Sequence, residues 1–429
     1  MIRIFFKHLT LLCLCCLASG FLALGQTNFD DYFLKKTLRM DYVHAGSDTT
    51  EFVFLDQIKE EPFWGGSLTK LIDTFNFGDY RVLVRDSVTG KTLYTRGYST
   101  LFREWQATPE AKRICKSFVE NVVIPLPKHT VRLSIESRNR KNVFTEIFSV
   151  FVNPADPFVV KNLNCNFEVQ RLHGKRDPSV ALDVVILAEG YTASEMDKFV
   201  QDANRFVGYF FTVEPFASRT DAVNFWAVLS PSVESGTDYP NEGKWANTVL
   251  NSNFYTFYTD RYLTTQDMKR VRDVAALAPY DQIYILVNSK TYGGGGIYNF
   301  YNLCASDMDW ASEVFTHEFG HAFAALADEY AYDDTPAELM FDLDIEPWAA
   351  NLSTLAKGKP KWSDLILAGT QIPTQNEQAD KVGAFEGAGL SLHKLYRPCY
   401  DCKMRTNNCK LFCPVCLRTV QAMLDFYTK

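Results

Sequence analysis

His317-Glu318-Phe319-Gly320-His321 is an H-E-x-x-H stretch, and these residue types at this spacing can do metal chemistry. On an α-helix, side chains four apart lie on one face, about 6 Å apart along the axis. His317 and His321 can therefore offer two imidazoles to one zinc ion, with Glu318 beside it as general base. A catalytic zinc needs a third protein ligand and one open position for water, and Asp328 and Glu329 are the nearest acids. Asp309 to Phe315 carries apolar residues at helical spacing, which places the motif inside a helix. If that helix ran straight, Asp328 would lie about 10 Å beyond His321 along the axis. The chain must therefore turn near Ala324 to Leu326 for either acid to reach the metal.

The elements that position this motif have to come from a long chain. Its 429 residues are 47% hydrophobic, enough to bury two domain cores. The formal net charge of −7 argues against nucleic acid as a partner, since phosphate backbones would be repelled. Surface acids leave calcium open as a minor second cofactor. Residues 1–25 read as an export signal: Arg3 and Lys7 open it, Leu11 to Leu24 are largely apolar, and Ala23-Leu24-Gly25 forms a small-x-small cleavage site before Gln26. No later stretch reaches the roughly 20 apolar residues of a membrane-spanning helix. The expected product has no transmembrane segment after signal removal and is secreted, periplasmic or held at the cell surface. Cys13, Cys15 and Cys16 leave with the signal.

Residues 26–158 have the texture of a β-sandwich. Thr37 to Val43, Tyr80 to Asp86 and Val131 to Glu136 alternate in and out, Phe144 to Val152 supplies a further strand, and Asn153 to Pro157 reads as a linker. No catalytic cluster is visible there. From residue 159 to 429 the texture changes to α/β. Leu182 to Ala188, Phe225 to Leu229 and Gln282 to Asn288 are buried-type strands, and a helix from about Glu195 to Phe211 follows a cap at Thr192 or Ser194.

Between the last of these strands and the histidine helix lie Gly293, Gly294, Gly295 and Gly296. Glycine raises the entropic cost of ordering, so the run suits a place where another backbone comes close, such as an edge strand that pairs with an extended peptide substrate. A phosphate loop does not fit, because no Gly-Lys-Ser/Thr follows. Near the carboxy terminus stand Cys399, Cys402, Cys409, Cys413 and Cys416. In an exported chain, disulfides are the first expectation for these; two C-x-x-C pairs keep a second zinc as the alternative.

Taken together, the sequence resembles the secreted zinc metallopeptidases of the IgA-peptidase family, the igalysins of the metzincin group. The resemblance rests on His317 to His321 with Leu326 and Asp328-Glu329-Tyr330, on Phe385 to Ala388, Tyr396-Arg397-Pro398 and Cys402-Lys403-Met404-Arg405, and on Phe412 to Cys416. The glycine run and the Ile186 to Thr192 strand end also match. It implies a two-domain α+β fold, with a β-rich amino-terminal domain and a metzincin-like α/β catalytic domain.

The resemblance also implies that Met404 lies in a tight turn beneath the zinc. It favours Asp328 over Glu329 as third ligand, as in metzincins that replace the third histidine with aspartate. The chain departs from the broad metzincin motif at Ala324 and Ala327, where that motif has its helix-breaking glycine and third ligand. The implied activity is zinc-dependent hydrolysis of peptide bonds in a protein or peptide substrate, with Glu318 taking the water proton and Tyr396 or Arg397 offered to the oxyanion. Two other readings are a zinc enzyme for another bond, such as an amidase or deacetylase, and a surface binding protein with a decayed site. Intact Glu318 counts against the last.

Overall fold

The computed structural model describes residues 27–332 and 337–429, so the expected export signal at 1–25 lies outside the described residues. The first domain contains β1 (Phe33–Gly46), β2 (Glu51–Glu61), β3 (Tyr80–Asp86), β4 (Thr92–Tyr98), a short helix α1 (Leu101–Gln106), β5 (Lys116–Pro127), β6 (Val131–Arg138) and β7 (Phe144–Val152). These strands make two antiparallel sheets, ordered β2-β1-β5 and β4-β3-β6-β7. Alternation sends Leu38, Met40 and Tyr42 of one sheet and Val82, Val84 and Ile135 of the other into a single apolar cluster. The sequence pattern marks β3, β6, β7 and the middle of β1, but not β2, β4 or β5. In β2 the exposed positions hold Phe52, Phe54 and Leu55, which erases the polar half of the alternation. β5 ends in two prolines, which read as breakers.

The second domain is built on a six-stranded sheet. It comprises β8 (Glu168–His173), β9 (Leu182–Glu189), β10 (Val223–Leu229), β11 (Gln282–Val287), β12 (Gly294–Ile297) and β13 (Tyr301–Ala305). Their order is β12-β13-β11-β9-β10-β8, with the four central strands parallel and both edges antiparallel. β9 and β11 are buried at every position, which is what an apolar run without alternation requires. α2 (Met196–Phe210) follows β9 after a capping box in which the Thr192 N–H donates to Glu195 at 2.8 Å. α3 (Met268–Ala275) precedes β11, α4 (Ala311–Ala324) carries the two histidines, and α5 (Pro414–Thr428) closes the chain.

The segment expected as a free linker leads straight into contact with the first domain, for Val160 bonds the backbone of Ile58 and Glu60 at 3.0 and 2.8 Å. A buried ion cluster adds to this. The Arg39 guanidinium meets Asp41, Glu61 and Asp273 of α3 at 2.9–3.0 Å, and Asp273 also accepts from Lys59 at 2.7 Å. Such a cluster holds only as a set, since removing one partner leaves a buried charge unmatched at a loss of about 3–5 kcal/mol. The two domains therefore form one packed support for α4.

Candidate metal centre

α4 ends at Ala324, just short of the acids. Ala325 takes the left-handed conformation at φ 54°, and the Leu326 N–H reaches back to the Gly320 carbonyl at 3.2 Å. Alanine has no intrinsic preference for that region, where an L residue costs roughly 1–2 kcal/mol. Tertiary contacts hold the turn: Ala325 and Leu326 are buried, and Asn351 clamps the next residue from both sides. The Ala327 N–H donates to Asn351 Oδ1 at 2.9 Å, and Asn351 Nδ2 donates to the Ala327 carbonyl at 2.8 Å. Asn351 carries no motif and stands well downstream, so nothing in the local sequence marks it.

This turn brings Asp328 back to the histidines. Its Oδ1 is 3.2 Å from Nε2 of His317 and 3.2 Å from Nε2 of His321, and the two Nε2 atoms are 3.0 Å apart. Each ring's other nitrogen faces a backbone carbonyl. Nδ1 of His317 donates to the Lys403 carbonyl at 2.9 Å, and Nδ1 of His321 donates to the Leu326 carbonyl at 2.6 Å. With each Nδ1–H spent on a carbonyl, both Nε2 atoms point at the carboxylate. The three ligand-type atoms thus converge on one point, where a proton on Nε2 or a metal ion can satisfy them. The demand for positive charge shows in the titration of His321 and Asp328. Burial lowers the basicity of His321, but Asp328 outweighs it and pushes the pKa up to about 9. Burial likewise opposes ionisation of Asp328, yet the imidazoles hold its carboxyl far below the usual range.

Glu329, the alternative third ligand, points away. It is fully buried, accepts from Asn351 Nδ2 at 2.9 Å, and sits 3.1 Å from Cys416 Sγ. The period of an extended chain sends neighbouring side chains to opposite faces, so the two acids cannot share one centre.

Glu318 lies between α4 and the glycine strand. A Cβ at Gly294 would stand 3.0 Å from Glu318 Oε1, and one at Gly296 would stand 2.3 Å from the Glu318 carbonyl oxygen. On the other face, a Cβ at Gly293 or Gly295 would stand 2.5 or 2.7 Å from the carbonyl oxygen of Arg261 or Leu263. The glycine run is an edge strand, but the backbone that approaches it is the chain's own. Its outer side is already taken at Gly294, whose carbonyl accepts from the Leu263 N–H at 3.4 Å. The substrate-edge strand expected along Gly293 to Gly296 is thus engaged at Gly294 by the chain's own backbone. Burial raises the Glu318 carboxyl above its ordinary value, and the adjacent imidazoles oppose this.

Met404 is fully buried beneath α4, and the space it fills exists because residue 320 is glycine: a Cβ there would be 2.7 Å from Met404 Sδ. The same turn supplies the Lys403 carbonyl to His317 and the Met404 carbonyl to the Glu329 N–H at 2.8 Å. Arg405 and Thr406 close it by donating to the Cys402 carbonyl at 2.8 and 3.1 Å.

Arg397 is engaged away from this centre. The Arg397 guanidinium is buried and donates to the carbonyls of Glu386, Gly387 and Tyr400 at 2.7, 2.5 and 3.3 Å, which leaves it a structural post. Tyr396 pairs its backbone with Ser353. Of the groups that do face the centre, Arg261 and Glu104 carry no sequence signal, and Tyr330 lies in the stretch Asp328-Glu329-Tyr330. Arg261 is exposed, lies over the Tyr330 ring at 5.3 Å, and its charge is felt by Glu318. Tyr330 faces Asp328. Glu104 of α1 accepts from the Tyr262 hydroxyl, and burial pushes its carboxyl up to about 7. The first domain thus reaches the neighbourhood of the histidines.

The disulfides expected near the carboxy terminus are absent: Cys399, Cys402, Cys409, Cys413 and Cys416 are free thiols. Among the described residues two groups of side chains could hold a metal ion, His317 with His321 and Asp328, and Glu329 with Cys402, Cys413 and Cys416. Neither is the all-oxygen set that calcium requires.

Two histidines and an aspartate that could hold a metal, with a glutamate beside them, are the parts of a hydrolase. Sequence comparison narrows this. Residues 171–380 and 374–424 match the family described as IgA Peptidase M64, and residues 28–149 match Peptidase M64 N-terminus. The chain belongs to this peptidase family and has its two-domain, sheet-rich organisation. A search of curated proteins found no match.

Proposed function

We propose that the chain is an exported, zinc-dependent endopeptidase, with His317, His321 and Asp328 as metal ligands and Glu318 as general base. The observation that carries this reading is the convergence of three ligand-type atoms at 3.0–3.2 Å on one point. Tetrahedral ligands at roughly 2.0–2.1 Å from a zinc ion stand about 3.3 Å from each other, so the residues present fit the metal.

A zinc ion held there supplies Lewis acidity to a water and to the scissile carbonyl. Glu318, its proton affinity raised by burial, takes the water proton on a carboxylate oxygen and releases it to the leaving amine. The Lys403 and Leu326 carbonyls hold both imidazoles in the tautomer that presents Nε2. Arg261 is offered to the oxyanion beside Tyr396, whereas the Arg397 guanidinium is spent on backbone carbonyls.

The proposal extends to the domains: an export signal at 1–25, a β-sandwich at 26–158, and a metzincin-like catalytic domain at 159–429. The cluster shared by the two antiparallel sheets supports the second, and Met404 under the histidine helix supports the third. No described helix is long and apolar enough to cross a membrane. The substrate class is protein or peptide, on the ground of the family. Metal analysis and chelation test the reading: cleavage of an unfolded protein should stop on chelation and return with zinc. Cleavage that survives complete metal removal would overturn it.

A further inference from the structure

On the far side of the Met404 turn lies the second group of ligand atoms. One atom from each of Glu329, Cys402, Cys413 and Cys416 lies within 4.8 Å of all the others. The residues come from three separated places: the segment after α4, the Met404 turn, and the first turn of α5. None is more than 6% exposed. Cys416 Sγ is 3.1 Å from Glu329 Oε1. The sulfurs also receive backbone donors, Cys402 Sγ from the Cys413 N–H at 3.3 Å and Cys413 Sγ from the Cys416 N–H at 3.5 Å.

Two features of this cluster call for a cation. Glu329 Oε2 is buried and has no hydrogen-bond partner, although a buried carboxylate oxygen is costly to leave unmatched. The sulfurs are three, so any one disulfide among them would strand a thiol against that carboxylate. Four donors, three soft and one hard, are the number a closed tetrahedral zinc site takes, with no position left for water.

We propose that Glu329, Cys402, Cys413 and Cys416 hold a second zinc ion whose role is structural. Binding displaces the waters of the aqueous ion, breaks three S–H bonds, forms three zinc–sulfur bonds and one zinc–oxygen bond, and releases the three thiol protons to solvent, with no change of oxidation state. The ion staples the chain where the first centre depends on it. Glu329 adjoins Asp328, its N–H donates to the Met404 carbonyl, and Cys402 opens the turn that carries Met404. α5 is thereby tied to both. The thiols that an exported chain would otherwise expose to oxidation are consumed as ligands.

The test uses the full chain with its first centre removed, His317→Ala with His321→Ala, purified under reducing conditions without chelator. This variant should retain one equivalent of zinc per chain, and cobalt in its place should show thiolate-to-cobalt charge transfer in the near ultraviolet. Adding Cys413→Ser with Cys416→Ser should abolish both signals. Should that variant not fold, the metal content of the histidine variant alone still decides. Zero equivalents there, cobalt spectra without thiolate bands, or disulfide-linked peptides joining Cys402, Cys413 or Cys416 in the mature protein would overturn the proposal. Half-buried Cys399 separates two ligand sets: Cys399→Ala should keep the ion and Glu329→Ala should lose it, and the reverse would overturn the assignment of Glu329.

Discussion

Gly320 and Met404 meet face to face: a Cβ on the helix at Gly320 would stand 2.7 Å from the Met404 sulfur and 3.2 Å from the Phe412 ring. The middle of the H-E-x-x-H motif is therefore shaped by a residue far downstream. Gly320→Ala gains up to about 1 kcal/mol of helix propensity. It also forces a shift in a packed core, which costs typically about 1–3 kcal/mol. The collision should win, giving a net loss of stability near 1 kcal/mol and weaker metal binding, measured by denaturant unfolding and zinc titration. Unchanged values for both would show that Met404 is not held against the helix.

Glu318→Gln keeps the shape of the side chain and removes its capacity to accept a proton. Turnover should fall about 10²- to 10⁴-fold. Metal content should stay the same, since Glu318 is not among the clustered ligand atoms. Near-normal turnover would place the base elsewhere.

Asp328 and Glu329 should separate cleanly. Asp328→Ala should weaken zinc at the histidine centre by more than the roughly 10- to 100-fold typical of losing an outer partner. Glu329→Ala should leave the histidine ligand set itself intact and act through the fold of the turn. Competition titration with a chromogenic chelator reads both, and a larger loss of histidine-centre affinity in Glu329→Ala would reverse the assignment.

The histidine centre predicts a pH dependence for chelator-stripped protein. His321 has a folded pKa raised from 6.5 to about 9, so its contribution is complete below 6.5 and is lost as pH rises through about 9. The Asp328 carboxyl is depressed, so its contribution is present above the ordinary carboxylate range and is lost only in strong acid. Stripped protein should therefore be most stable between about pH 4 and 6.5 and soften toward pH 9. Zinc should remove the alkaline decline, because the ion takes the place of the proton. Thermal unfolding across pH, with and without metal, checks this; a flat alkaline limb without metal would contradict it.

Arg261 and Arg397 should behave differently. Arg261→Ala should lower kcat by about 10²- to 10³-fold, the range for one lost oxyanion donor, with little change in stability. Arg397→Ala should instead destabilise, because the carbonyls of Glu386, Gly387 and Tyr400 lose a buried donor at about 1–3 kcal/mol for each group left unsatisfied. Equal effects of the two substitutions on kcat would remove the distinction.

What could be read without coordinates was local in its physics. The period of α4 puts His317 and His321 on one face, and the apolar runs at Leu182 and Gln282 become strands buried at every position. Thr192 and Glu195 mark the start of α2 through a capping box. Where local chemistry was silent the reading stopped: β2 hides its alternation behind exposed aromatics, and Glu104 and Arg261 reach the site from segments with no motif.

The sequence by itself determined the candidate ligand types, their spacing on a helix and the strands that support it, because helix and strand periods follow from neighbours in the chain. Tertiary structure decided which acid meets the histidines, since that depends on a left-handed turn at Ala325 that alanine does not favour and that Asn351 holds from outside. It decided also that the glycine run serves the chain's own helix, and that three cysteines gather around Glu329 as free thiols. Each of these outcomes rests on contacts between segments far apart in sequence, whose energies no local pattern encodes.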